Sequence, residues 1–125
     1  MDVTPLIPAD RQVIESYGSD GFRVSGAAHS GAIIVFPDAT RAWSVAAMDQ
    51  VTLASLDPVI ARGGVEILLI GCGRRMALVA KELRASLKAA GIVVDAMDTG
   101  AACRTYNVLL AEDRRVAAAL LPPAS

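Results

Sequence analysis

The run Val65-Glu-Ile-Leu-Leu-Ile70, followed by Gly71-Cys-Gly73, an amphipathic stretch and Ile92-Val-Val94, constrains this chain more than any other feature. Its β-branched, almost uninterrupted apolar residues mark Val65–Ile70 as a central parallel strand buried on both faces. Beyond the glycines, Met76, Val79, Ala80, Leu83, Leu87 and Ala90 fall at helical spacing on one face, with Lys81, Glu82, Arg84 and Lys88 elsewhere. Gly91 ends that helix at the C′ position. Residues 65–97 therefore form a strand–helix–strand unit, whose crossover should be right-handed and whose strands should be parallel. The fold class that follows is α/β.

The remaining elements fit around this unit. Val13–Tyr17 and Phe22–Ser25 are short β-prone runs on either side of Gly18-Ser-Asp-Gly21, which predicts a hairpin. Gly31–Phe36 reads as a fully buried strand stopped by Pro37-Asp38, and Arg41–Val45 as the next strand. Asp57 at the N-cap and Pro58 at the first helical position predict a short helix that Gly63-Gly64 ends. A longer helix from about Thr99 to Ala111 turns Ala102, Tyr106, Leu109 and Leu110 toward the sheet. Val116–Leu121 is cut off by Pro122-Pro123 after too few residues for a stable helix, and is read as a buried final strand. The length, 125 residues, suits one domain with one core. Residues 1–11 are expected to be an irregular lead-in, 12–121 the single α/β domain and 122–125 a tail.

Composition narrows the function classes. The apolar share of 54% comes from Ala, Val, Leu and Ile with few aromatics, a balance for packed layers rather than an aromatic binding platform. With 12 basic and 13 acidic side chains and no basic cluster, the field that attracts nucleic acid is missing. Cys72 and Cys103 form no C-x-x-C pair and His29 is the lone histidine, so neither a zinc site nor any other metal or cofactor is expected. The start, Met1–Pro8, has no basic segment and reads as neither a signal nor a transit peptide. Apolar runs fall well short of the ~20 residues that cross a bilayer, so no direct membrane insertion is expected. A soluble protein of a reducing compartment is the resulting expectation.

Ligands of open parallel sheets bind beyond the carboxyl ends of the strands. Gly71, Cys72, Gly73 and Arg74 occupy one such end, and Asp98 and Thr99 another, each loop being expected to lead into a helix. Their amides, with Arg74 or Arg75 and Arg104, would make a niche for a small anion. On this reading Cys103, Arg104 and Asn107 face Cys72 and Arg74. Both thiols lie near expected helix starts beside arginines, surroundings that lower a thiol pKa, although no histidine base is placed to assist them. The dinucleotide fingerprint fails, because its third glycine falls on Met76. Asp95 and Asp98 lie at a strand end and do not converge as a carboxylate pair, and Asp98 or Thr99 is better read as a helix cap. No catalytic residue emerges.

Several segments in order carry a resemblance: Tyr17, Gly21-Phe-Arg-Val24 and Gly26; Gly31–Pro37; Trp43-Ser-Val45; Ile67–Gly73; Met97-Asp-Thr-Gly-Ala-Ala-Cys-Arg-Thr-Tyr-Asn-Val-Leu109; and Glu112 with Val116–Leu120. Over residues 12–121 the chain resembles the family of the mitochondrial respiratory complex I (NADH dehydrogenase) assembly factor 3 and its bacterial and archaeal relatives, domain of unknown function 498. The resemblance implies a compact three-layer fold with a central mixed sheet, helices on one side and extra β structure, here the N-terminal hairpin, on the other. It implies no established reaction and no cofactor. It implies partners among respiratory-complex subunits or other assembly factors. The eukaryotic members usually carry a targeting extension, which is not seen here, so the resemblance implies a bacterial, cytoplasmic protein. Where the family commonly has Gly-Thr-Gly, this chain has Gly71-Cys72-Gly73. The first functional reading is thus a non-catalytic protein-binding domain. The alternative is a small-molecule or anion-binding protein, or an unrecognised enzyme, using loops 71–75 and 98–107.

Overall fold

The order in which three parallel strands lie decides the layout of the molecule. In the computed structural model, which describes residues 11–123, β6 (Ile67–Gly71) lies between β7 (Val93–Met97) and β8 (Val116–Leu120), parallel to both. Helix α2 (Lys81–Ala89) carries the chain from β6 outward to β7, and α3 (Thr99–Ala111) carries it back past β6 to β8. Right-handed crossovers running in opposite directions along a sheet put their helices on opposite faces. Beyond β8, β4 (Ile33–Phe36) and β5 (Ala39–Ala42) add antiparallel strands, completing the order β5-β4-β8-β6-β7.

The three layers and the mixed sheet agree with the sequence reading, with one correction to the side taken by a helix. Short α1 (Asp57–Arg62) and α2 share a face, where Val59, Leu83 and Leu87 pack with Ile34, Leu68 and Ile70. On the other face Tyr106 and Leu110 of α3 pack with Ile33, Val35 and Leu69. The extra β structure lies on this second side as well, since its Ile14, Phe22 and Val24 join the same core. It is a meander of β1 (Ile14–Gly18), β2 (Gly21–Val24) and β3 (Ala27–Ser30) rather than a single hairpin. Ser25 and Gly26 both have positive φ, +46° and +84°, and Val24 pairs with Ala27, the two-residue turn that a second hairpin needs. The Ala-Ala-His-Ser composition of β3 gives no β-propensity signal.

Strand β8 shows why an alanine-rich segment can hold a sheet together. Val116, Ala118 and Leu120 belong to the core under α3, while Ala117 and Ala119 belong to the core under α1 and α2. All five are buried, so the strand alternates between two apolar layers.

Other departures from the expected elements are local. Helix α2 starts at Lys81, not just after Gly73: Ala80 has ψ 138°, outside the helical region, and Met76 is exposed. Asp57 is the first residue of α1 and makes no side-chain cap, the N-cap position being Leu56. Strand β5 ends before Trp43, which is buried by packing and donates its indole N–H to the Ser55 carbonyl at 2.9 Å. The expected lead-in over 1–11 and tail over 122–125 fall largely outside the described residues.

Tyr106 is wholly buried, and among the described residues its hydroxyl has no hydrogen-bond partner. Burial also pushes its pKa up. An unsatisfied buried hydroxyl costs about 1–3 kcal/mol. Tyr106→Phe is therefore expected to raise the urea midpoint with an unchanged slope, and a lower midpoint would reveal a partner for that oxygen.

Candidate functional site

The carboxyl ends of β6, β7 and β8 are joined through one hydroxyl. Thr99, fully buried, donates from Oγ1 to the Leu121 carbonyl at 2.6 Å and accepts from the Gly73 amide at 2.8 Å. Its own amide donates to the Gly73 carbonyl at 2.8 Å, and the Leu121 amide donates to the Gly71 carbonyl at 2.9 Å. Gly71 makes a close approach: a Cβ there would lie 2.8 Å from Leu120 Cδ2, the end of a side chain that can shift, and 3.2 Å from the Thr99 Cα. Asp98 caps α3, accepting the Ala101 amide at 3.0 Å. That helix start is therefore occupied by the chain's own carboxylate. Since α2 begins only at Lys81, the loop 71–75 does not lead directly into a helix as expected.

The polar residues further along α3 turn toward the meander instead of toward Cys72 and Arg74. Asn107 grips β1 in both senses, its Oδ1 accepting the Ile14 amide at 3.0 Å and its Nδ2 donating to the Ile14 carbonyl at 2.8 Å. Arg104 is exposed and reaches the Tyr17 hydroxyl at 3.4 Å. The same hydroxyl would lie 2.6 Å from a Cβ on Gly100, so the phenol rests against the start of the helix.

The two thiols lie in different environments. Cys103 is buried in the core under α3, whereas Cys72 is half-buried and packs against the core on the other side of the sheet. Burial pushes the Cys103 thiol up to about 12, against the pull of Arg104, and burial likewise raises Cys72. Both shifts run opposite to the lowering expected from nearby arginines: at Cys103 desolvation of the thiolate outweighs Arg104, and at Cys72 burial outweighs the backbone groups of Ala77 and Met97, with Asp98 adding to the rise. At pH 8, alkylation followed by mass spectrometry should modify Cys72 slowly and Cys103 only after unfolding. Equal rates in native and denatured protein would contradict this burial.

Of the expected site residues, Cys72, Gly73 and Arg74 line an open cleft of about 450 Å³ with Ala46, Ala47, Met48, Leu121 and Pro122. A second cleft of about 220 Å³ shares Met48 and continues along Asp49, Val51, Leu78, Val79 and Leu83. The 46–51 side was not anticipated, since it carries only a single 3₁₀ turn, Met48–Gln50, and no periodicity. Leu78, in its lining, is 83% exposed, and Met76, earlier in the same loop, is 56% exposed. Among the described residues no three metal-ligating side chains come together. No helix is long and apolar enough to cross a membrane among them.

A mixed sheet with helices on both faces, an added antiparallel meander and strand ends tied by internal hydrogen bonds define a small α/β domain. The sequence pattern of the family described as protein of unknown function (DUF498/DUF598) matches residues 14–121, and the chain belongs to that family. An uncharacterized protein of Rhodobacter capsulatus is 41% identical over 109 residues, covering 87% of this chain and 83% of that one. NADH dehydrogenase [ubiquinone] 1 alpha subcomplex assembly factor 3 of Danio rerio is 37% identical over 112 residues, 89% of this chain and 64% of that protein. The human protein of the same name is 31% identical over 116 residues, 92% of this chain and 63% of its own length. This chain thus spans less than two thirds of those two assembly factors. Among solved structures, a Bordetella pertussis protein described as a Mth938-like domain superposes with a TM-score of 0.84 at 32% identity, covering 100% of this chain and 94% of that one. A Bartonella henselae protein described as an outer membrane protein gives 0.83 at 39% identity, covering 91% and 97%.

Proposed function

We propose that the protein is a non-catalytic binding module of the assembly-factor type, which helps build a membrane-associated respiratory complex in a bacterium by holding its subunits or other factors. The observation that carries this reading is the contrast at the strand ends. Thr99, Asp98 and Asn107, which looked available for chemistry, are committed to backbone groups, while Leu78 stands in solvent at the edge of a cleft. Exposed apolar side chains grouped at a concavity mark interaction sites more often than catalytic ones. The named assembly factors among the relatives support the same reading.

Affinity capture of the tagged protein from its host, after mild cross-linking at near-physiological salt, tests it. Recovery of respiratory-complex subunits or factors is the expected result, and the absence of any specific partner overturns it. The small-molecule alternative rests on Arg74 at the cleft. It requires a rise in melting temperature with phosphate or carboxylates, through mass action on the folded state.

A further inference from the structure

We infer that the cavity at the amino ends of β6 and β8 binds a small doubly charged anion, a phosphate ester or a dicarboxylate, on arginine side chains. This end of the sheet is opposite to Gly71–Arg75 and Asp98, so the site goes beyond the binding-module reading and beyond its small-molecule alternative. Segments that meet only in the fold build it. Gly63–Val65 ahead of β6, Asp113–Val116 at the start of β8, and Pro37 and Asp38 between β4 and β5 form its wall, with Arg62 at the end of α1 and Arg11 ahead of β1. The volume is about 330 Å³, within the range of small-molecule sites.

The charged side chains choose the guest. Arg11, Arg62, Arg114 and Arg115 line the cavity against two carboxylates, Asp38 and Asp113. Outside the lining, Glu66 approaches Arg115 at 3.7 Å, which leaves Arg114 with no carboxylate in ion-pair distance among the described residues. The pairs that do form position donors rather than exhaust them. Arg62 is bonded to Asp38 and stacked over Phe36, 4.4 Å from the ring centroid, and Arg11 meets Asp113 at 3.2 Å. Each of these bonds uses one of the five N–H groups of its guanidinium. A planar fork held in this way matches the oxygens of a carboxylate or phosphate and loses little freedom on binding one. Among the described residues no hydrogen bond uses the amides of Gly64, Val65 or Arg115. The carbonyls of Gly63, Gly64 and Val65 are unspent as well, so the arginines set the sign.

A second observation points to the same place. The Tyr106 hydroxyl is buried without a partner among the described residues, and a polar group so placed calls for one. After burial itself, the influences on that hydroxyl are Arg11, Arg62 and Asp38, three residues of the lining. It therefore lies within electrostatic reach of the cavity, where an anion would offer it an acceptor, directly or through water.

Titration of the full chain with inorganic phosphate and with succinate, followed by amide NMR shifts, tests the inference. Shifts at Gly64, Val65, Arg114 and Arg115 should saturate together with a Kd on the order of 1 mM or below, and stay small at Gly71–Arg75. Arg114→Gln alters an exposed side chain and should raise Kd by about tenfold, the loss of one charge-assisted hydrogen bond. Asp113→Asn should act in the opposite direction and lower Kd, because it removes the carboxylate that competes for Arg11. A damaged fold does not tighten binding, so the pair of variants separates the site from a structural defect. Shifts that drift without saturating, an adventitious ion only, overturn the inference, as does saturation that both variants leave unchanged. Binding lost with Arg74→Gln and kept with Arg114→Gln overturns it in favour of the cleft at the carboxyl ends. Capture of an acidic protein that Arg114→Gln abolishes, when neither anion binds, overturns it in favour of a protein contact.

Discussion

Thr99→Val is expected to cost about 2–6 kcal/mol, because one isosteric change strands two buried groups, each worth about 1–3 kcal/mol when unsatisfied. Those groups are the Gly73 amide and the Leu121 carbonyl, both held only by the hydroxyl in this arrangement. Volume is almost unchanged, so a lost cavity or a clash does not contribute. Thr99→Ser keeps the oxygen and gives up one methyl, and should cost about 1 kcal/mol. Urea titrations of the three proteins check the ordering. If valine is no worse than serine, the hydroxyl is not the joint between the strand ends. A loss of this size is a large share of the roughly 5–15 kcal/mol that holds a domain folded.

Asn107→Leu is expected to free the meander from α3 while leaving the five-stranded sheet in place. Both backbone groups of Ile14 lose their partner, for about 1–3 kcal/mol in all at a half-buried site. Asn107→Asp keeps the acceptor for the Ile14 amide but sets a carboxylate against its carbonyl, so it should not rescue the contact. Hydrogen exchange at residue resolution is the measurement: amides of β1 and β2 should exchange faster, and those of β6 and β8 should not. Uniform acceleration across both sheets would mean that the meander and the sheet unfold as one unit.

The sequence reading succeeded where the controlling forces are local. Period and β-branching located β4, β6 and β8, and Gly91 at φ +82° ends α2 as its position predicted. The side taken by α3 was not legible, since it follows from β8 lying beyond β6 rather than beyond β7. Such an order is set by pairings among distant segments. The polar cluster 98–107 was misleading for a related reason. Asn107 answers to a residue 93 positions earlier, and Thr99 to Gly73 and Leu121, 26 and 22 positions away. No short window contains both halves of those bonds, so residues that act as joinery looked like chemistry. Met76 misled the reading of where α2 starts by falling at helical spacing from Val79, Ala80 and Leu83, although the chain there is not helical.

The central place of β8 has a consequence for synthesis. Val116–Leu120 follows every other strand in the chain, yet it separates β4 from β6. Until the ribosome has released this segment, the five-stranded sheet can exist only as two separate ladders, β4 with β5 and β6 with β7. Their facing edges are unpaired, and apolar side chains such as Ile33 and Leu69 lack a covering strand beside them. This strand must be threaded between the two halves, so the hazard of adhesion to other chains lasts until it has emerged.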